Sequence, residues 1–347
     1  MRSTGVLVAA LALTVSSCSL IGDGDDEGGS SSGEDTVVLV THDSFSLPKK
    51  LVAKFEQESG YQLEIQQVGD GGTLTNELVL TEDSPLGDVA FGVDNTFASR
   101  ALEEGVFAPY DFGAPAGVDD HALPGDDEHA LTAVDTANVC VNVDNAWFAA
   151  EGIAPPEDLD DLTDPAYRDL FVTPAATTST VGMSFLLTTI AAYGDGWPDY
   201  WADLLANGAA LTKGWEDAYY VDYTFSGGER PIVLSYDSSP AFTVDGGDSS
   251  TSALLDTCFE QVEYAGLIEG ADNPEGGEEL IEFLVGPEVQ AALPESMYVF
   301  PVADGVELPA EWARFAEQPT DPYAVDPAEV AANREVWLRE WSDVTSR

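Results

Sequence analysis

The stretch TVVLVTHDSFSLPKKLVAKFEQESGYQLEIQQVGDGGTLTNELVLTEDSPLGDVAFGV, residues 36–93, decides the fold class. Its first six residues, Thr36 to Thr41, are a β-branched run that predicts a strand. Leu47 to Ser59 then places apolar residues at helical spacing and stops at Gly60. Gln62 to Val68 alternates as a strand, Leu74 to Thr81 reads as a helix, and Asp88 to Val93 as another strand. This βαβαβ succession implies an α/β protein with a mostly parallel sheet covered by helices.

Working outward, Asn138 to Val143 is strand-like and leads into Pro155 and Pro156, a crossing from one lobe to a second. The pattern then restarts with strand Leu170 to Thr173, helices Val181 to Tyr193 and Pro198 to Asn207, and strand Pro231 to Ser235. Phe259 to Ala265 is the expected returning strand, followed by helices Gly277 to Val285 and Pro287 to Leu293. Pro327 to Trp341 closes the chain as a helix whose Val330, Trp337, Leu338 and Trp341 form a docking stripe. Two lobes are predicted, residues 36–137 with about 259–305, and 138–258 with about 306–347. A ligand cleft between them faces strand ends and helix starts.

The N-terminus reads as an export signal: basic Arg2, an apolar run from Val6 to Val15 too short for a permanent span, then Ser16 and Ser17. Val15-Ser16-Ser17-Cys18 looks like the lipobox of bacterial lipoproteins, which makes Cys18 a lipid anchor after removal of residues 1–17. A plain secreted protein with a chance Cys is the alternative. Residues 18–35 are a Gly/Ser-rich acidic linker with nothing to bury. The expected address is the outer face of the cell membrane.

The chain has 347 residues, and its 44% hydrophobic content supports real cores beyond the linker. Its 64 acidic and 12 basic residues give a formal charge of -52, which argues against nucleic acid and against adhesion to anionic lipid. Such a surface attracts cationic solutes, and it equally keeps a protein soluble in salty surroundings. Cys140 and Cys258 are a disulfide or two buried thiols, and no Cys spacing suggests a metal or redox motif.

Candidate ligand-binding residues sit in loops at strand ends. His42-Asp43-Ser44 follows the first strand, and Asp70-Gly71 follows the second inside a glycine-rich turn that lets the backbone approach a ligand. Asp94 follows the third, and Thr178-Ser179-Thr180 supplies hydroxyls and N–H groups at a positive helix start. Helix capping and tight turns are the plainer reading of the Asp and Ser residues. Trp215, Tyr219, Tyr236 and Tyr298 recur in later turns, where aromatic faces stabilise flat heterocycles and organic cations by about 0.5 to 2 kcal/mol each.

In order along the chain, Asp43-Ser44-Phe45, Asp70-Gly71, Gly92-Val93-Asp94-Asn95, Thr178-Ser179-Thr180, Thr212-Lys213-Gly214-Trp215, Val233-Leu234-Ser235-Tyr236, Ser239-Pro240-Ala241 and Phe300-Pro301-Val302 resemble the thiamine-binding proteins of bacterial ABC importers. The C-terminal run Pro327 to Arg334 and Trp337 to Trp341 continues the likeness. The resemblance implies a two-lobed type II periplasmic-binding-protein fold, no catalysis and no cofactor, and a monomer that serves a permease and an ATPase. It implies thiamine, its monophosphate or its diphosphate as ligand. Asp70 and Ser179 would meet the hydroxyethyl or phosphate end, and Trp215, Tyr236 and Tyr298 would wall the rings. His42 stands where relatives carry Tyr, and Tyr298 where they carry Trp. A binding protein for another small cation, a polyamine or ferric ion, shares the same architecture. A secreted hydrolase is the reading from a different class, but no Gly-x-Ser-x-Gly elbow follows a strand pattern, and His42, His121 and His129 show no metal-pair spacing.

Overall fold

β1 (Thr36–Thr41), α1 (Lys49–Ser59), β2 (Gln62–Gln67), α2 (Gly71–Leu80) and β3 (Val89–Asp94) form the predicted opening in a computed structural model that describes residues 35–346. β1 pairs in parallel with β2 on one side and β3 on the other. The export signal, Cys18 and the linker up to residue 34 lie outside the described residues. Among those described, no helix is long and apolar enough to cross a membrane.

Next come α3 (Ala98–Glu103), β4 (Thr132–Asp144), α4 (Asn145–Glu151), β5 (Phe171–Pro174), α5 (Thr180–Tyr193), α6 (Trp197–Ala206), β6 (Ala210–Thr212) and β7 (Ile232–Tyr236). A second parallel group forms here, with β5 between β6 and β7. After α7 (Ser239–Phe242), the small hairpin of β8 (Val244–Asp245) and β9 (Asp248–Ser249) leads into β10 (Thr251–Leu267). The chain finishes with α8 (Pro274–Leu284), α9 (Pro287–Gln290), α10 (Leu293–Ser296), β11 (Phe300–Pro301), α11 (Trp312–Phe315) and α12 (Pro327–Thr345).

One mixed sheet in the order β2-β1-β3-β10-β4-β7-β5-β6 joins the two parallel groups. The expectation of mostly parallel pairing holds at its two ends and fails at its centre. There β10 runs antiparallel to both β3 and β4, and β4 antiparallel to β7. The reason is connectivity: β4 carries the chain from one group to the other and β10 carries it back. Both are longer than their apolar patterns suggested, 13 and 17 residues. The predicted helix Pro287 to Leu293 is broken in two instead, because Pro294 has no N–H for the Gln290 carbonyl and sits in the first turn of α10, where none is needed.

Buried apolar side chains gather in two large clusters. One holds Val37, Leu39, Leu51, Phe55, Leu74, Phe91, Tyr264 and Leu280. The other holds Phe148, Phe171, Phe185, Trp201, Leu234 and Phe259, with Val330 and Trp341 of α12 docked into it as the stripe predicted. Trp341 meets Trp201 edge-on at 5.5 Å. Cys140 of β4 and Cys258 of β10 are joined by a disulfide across 118 residues of sequence. Closing so long a loop in the unfolded chain removes entropy worth about 4 to 5 kcal/mol in the chain-entropy model.

Replacing Cys140 and Cys258 together by Ser should lower unfolding free energy by about 2 to 5 kcal/mol. Urea denaturation reads this directly, and an unchanged midpoint would show that the strand pair needs no staple.

Candidate ligand-binding site

The ends of β1, β2 and β7, the start of α5 and the segments 214–220 and 296–299 surround two adjacent cavities. The larger, about 320 Å³, is lined by Ser44, Trp215, Tyr219, Tyr236 and Tyr298 of the predicted set, together with Glu216, Tyr220, Ser239, Phe242 and Met297. The smaller, about 30 Å³, lies against it across the shared residues Ser44, Trp215, Tyr236 and Met297 and is lined as well by His42, Asp43, Asp70, Gly71, Thr180 and Glu263. Among the described residues no Lys or Arg lines either space.

Trp215 is held from two directions. Its ring stacks on Tyr219 at 5.0 Å and lies tilted to Tyr236 at 5.8 Å. Its Nε1 donates to Ser235 Oγ at 2.9 Å, and that hydroxyl shares a 2.8 Å hydrogen bond with Ser239 Oγ. Tyr219 and Tyr220 are presented by a π-helical turn, Asp217–Asp222, a rare element that is frequent at functional sites. Phe242 meets Tyr298 edge-on at 4.9 Å, and Tyr298 stacks on Trp312 at 5.9 Å. Tyr298 has φ of 59°, a left-handed conformation costly for a bulky residue, and Ser238 Oγ donates to its carbonyl at 2.6 Å.

Carboxyl groups form the rest of the site. Asp70 is the N-cap of α2, accepting from Gly71 N at 2.7 Å, and it also accepts from Thr180 N at 3.1 Å and Trp215 N at 2.9 Å. Burial pushes its carboxyl up to about 6, against the lowering effect of those donors. Gly71 has no side chain because any Cβ there would run into Thr180 and the Gly92 carbonyl. His42 packs on Gly92, whose φ of 98° and missing Cβ make room for the ring. Burial lowers His42 to about 4, so the imidazole is neutral at pH 7, and its Nε2 lies 3.5 Å from Glu263 Oε1. Burial raises Asp94 to about 7 and Asp135 to about 8, and Glu263 well above the usual carboxyl range.

Most of the predicted residues therefore converge, and three do not reach the cavities. Asp94 is fully buried and accepts from the Thr96 hydroxyl and backbone N–H. Ser179 caps α5 by accepting from Gly182 N at 3.3 Å, and Thr178 Oγ1 donates to the Lys213 carbonyl at 2.6 Å. For these three the structure gives the plainer roles of turn, cap and loop support. His129 is exposed and His121 half-buried, both away from the site. Glu216, Phe242 and Glu263 line the cavities without having been singled out. Phe242 lies in a four-residue helix with no local signal, and Glu263 sat inside an expected core strand.

The model of the bacterial extracellular solute-binding protein family matches residues 84–326. The chain belongs to this family. It is 32% identical to the thiamine-binding periplasmic protein of Salmonella typhimurium and 31% identical to that of Escherichia coli, in each case over 90% of this chain and 94% of the relative. A solved periplasmic thiamin binding protein superposes with a TM-score of 0.80 at 29% identity, covering 90% of this chain and 96% of that one.

The buried carboxyls dictate a pH dependence of this solute-binding protein's stability. Unfolded Asp releases its proton near 3.8, whereas folded Asp94 and Asp135 retain theirs to about 7 and 8. Across that window the folded state binds more protons, so its stability falls as pH rises. His42 acts oppositely between 6.5 and about 4, which leaves roughly pH 6.5 to 8 as the clean interval. The urea midpoint at constant high salt should drop over that interval and should drop less in Asp135→Asn. A flat wild-type profile would show that these carboxyls ionise normally.

Proposed function

We propose that this solute-binding protein captures thiamine, or one of its phosphates, outside the cytoplasmic membrane and delivers it to an ABC permease and ATPase. The observation that carries this reading is the larger cavity, where Trp215, Tyr219, Tyr220, Tyr236, Phe242 and Tyr298 surround a space flanked by carboxyls and lined by no Lys or Arg. Thiamine carries a thiazolium charge that no proton transfer can remove, so its burial requires aromatic faces or a counter-ion. The site offers both. The names of the relatives at 31% and 32% identity support the same ligand.

In this reading Trp215, Tyr236 and Tyr298 wall the two rings, while Asp70 and Thr180 lie towards the polar hydroxyethyl or phosphate end. The two apolar clusters are the cores of two lobes that close over the ligand by hinging along β4 and β10. Cys18 is the lipid anchor, and the acidic linker keeps the binding module near its importer at a raised effective concentration. No catalytic step is assigned.

The polyamine and ferric readings fit the cavity less well. A polyamine spreads several discrete ammonium charges along a flexible chain, each of which wants a carboxylate, whereas among the described residues Glu216 is the carboxyl lining the larger cavity. A ferric ion wants several oxygen ligands converging on one point. Among the described residues no group of three or more His, Cys, Asp and Glu side chains is arranged to hold a metal ion.

Thiamine well above its dissociation constant should raise the melting temperature, with spermidine and ferric citrate leaving it unchanged. Trp215→Ala and Tyr236→Ala should each weaken thiamine binding by about tenfold or more, read by calorimetry on variants whose circular dichroism matches the parent. Unchanged affinity in both would move the ligand out of this box.

A further inference from the structure

Three carboxyl groups stand side by side across the centre of the sheet. Glu263 of β10 is in register with Asp94 of β3 on one side and with Asp135 of β4 on the other. Residues directly opposite on neighbouring strands project from the same face about 5 Å apart, so the side chains form one row. All three are buried, with relative exposures of 0% for Asp94, 1% for Asp135 and 6% for Glu263. Asp94 Oδ2 accepts no hydrogen bond from the described residues, no N–H or hydroxyl among them donates to either Asp135 oxygen, and the Asp135 carboxyl meets that of Glu263 at hydrogen-bonding distance. Three buried like charges without cations are not sustainable, and the row must hold protons.

The row is open to the ligand at one point. Glu263 lines the smaller cavity, whereas Asp94 and Asp135 lie behind it. His42 Nε2, itself buried without a hydrogen-bond partner, lies 3.5 Å from Glu263 Oε1. The ionisable groups facing Glu263 are His42 from the loop after β1, Asp43 beside it, Asp70 from the start of α2, Asp94, Asp135, and Tyr236 from β7. None is a cation at neutral pH, since burial keeps His42 unprotonated. A fixed positive charge held in the larger cavity, across the shared wall of Ser44, Trp215, Tyr236 and Met297, is therefore the one favourable electrostatic partner available to a Glu263 carboxylate.

We propose that Glu263 is the counter-ion of the bound organic cation: it is a neutral carboxylic acid in the empty cleft and loses its proton to solvent when the cation arrives. The proposal builds on thiamine as the ligand. The balance is simple, since the Glu263 O–H bond breaks heterolytically, the proton leaves to buffer, and the carboxylate stays beside the cation. Burial first, and then the negative charge that Asp135 and Asp94 would carry, set the threshold by disfavouring ionisation of their neighbour. Two consequences follow by linkage: capture releases protons, and affinity rises with pH while the empty site is protonated. A purely structural Glu263 would produce neither.

The experiment is isothermal titration of thiamine into the soluble chain at pH 6.5 and 7.5, each in two buffers of different ionisation enthalpy, such as phosphate and imidazole. The dependence of heat on buffer counts protons. Release approaching one proton per thiamine is expected, with affinity rising by up to about tenfold per pH unit. Glu263→Gln keeps size and hydrogen-bonding capacity but cannot ionise, so it should bind thiamine with no buffer-dependent heat and no pH slope. Asp135→Asn, which removes a neighbour without touching the ligand, should make Glu263 easier to ionise and reduce proton release at pH 7.5. Binding with equal heats in both buffers overturns the proposal. Proton release that persists in Glu263→Gln overturns the assignment to this residue. No binding heat with thiamine under any condition overturns the ligand reading and this counter-ion role with it.

Discussion

The pairing of β4 with β10 is the constraint on which the remaining structure depends. These two strands belong to both halves of the molecule, and each is hydrogen-bonded to the other along most of its length. β3 and the parallel group behind it attach to β10, while β7 and the second parallel group attach to β4. The disulfide between Cys140 and Cys258 fixes the pair at its irregular middle, where the register shifts between Leu254 and Phe259. A register slip of one residue would turn the side chains of both strands to the opposite face. It would also dismantle the carboxyl row, because Asp135 and Glu263 are carried by these same strands.

Asp70 performs the corresponding task beside the smaller cavity. Its side chain satisfies N–H groups at the start of α2, at the start of α5 and in the loop before the π-helical turn. These belong to parts of the chain packed in different apolar clusters. A helix N-terminus attracts an anion, and here one protein carboxylate serves two of them. Charge-assisted hydrogen bonds of this kind are worth more than neutral ones, which explains how a buried carboxyl with no basic neighbour is tolerated. The Trp215 backbone, and with it the stacking wall, is positioned as a by-product.

Local patterns made the parallel groups legible, because the run from Thr36 to Val93 alternates elements of one period with elements of another. The same patterns stopped short on β4 and β10. Asp135 lies outside the predicted span of β4, and Thr251 and Thr257 outside that of β10, while Asn138, Asn142, Gln261 and Glu263 fall inside the predicted spans as polar interruptions, yet all seven are buried. Their environment is created by partners far away in sequence: Asn138 meets Asp237, and Asn142 reaches the Tyr236 carbonyl. For the site, turn aromatics and loop carboxylates were visible as exceptions to core logic. Which of them face the cavity was not, since Ser179, Thr178 and Asp94 carry the same residue types as their neighbours and differ only in what packs against them. Glu263 lay in a strand whose simplest reading was core, and Phe242 in a short helix with no local signal.

The formal charge of -52 counts every carboxylate as ionised, and the cleft does not obey that count. Surface charges act through water and salt, with a reach of about 10 Å at ordinary ionic strength. Asp94, Asp135 and Glu263 are removed from water and are held towards their neutral forms. A hard metal ion gains most from several ionised oxygens assembled in advance, because its charge is concentrated and its hydration shell must be replaced all at once. A diffuse organic cation needs much less: ring faces that cost nothing to desolvate, and one carboxyl able to ionise. An acidic exterior around a site of aromatic rings, backed by carboxyls held towards their neutral forms, would discriminate by charge density. It concentrates cations generally at the surface and rewards, in the interior, those whose charge is spread over a flat ring.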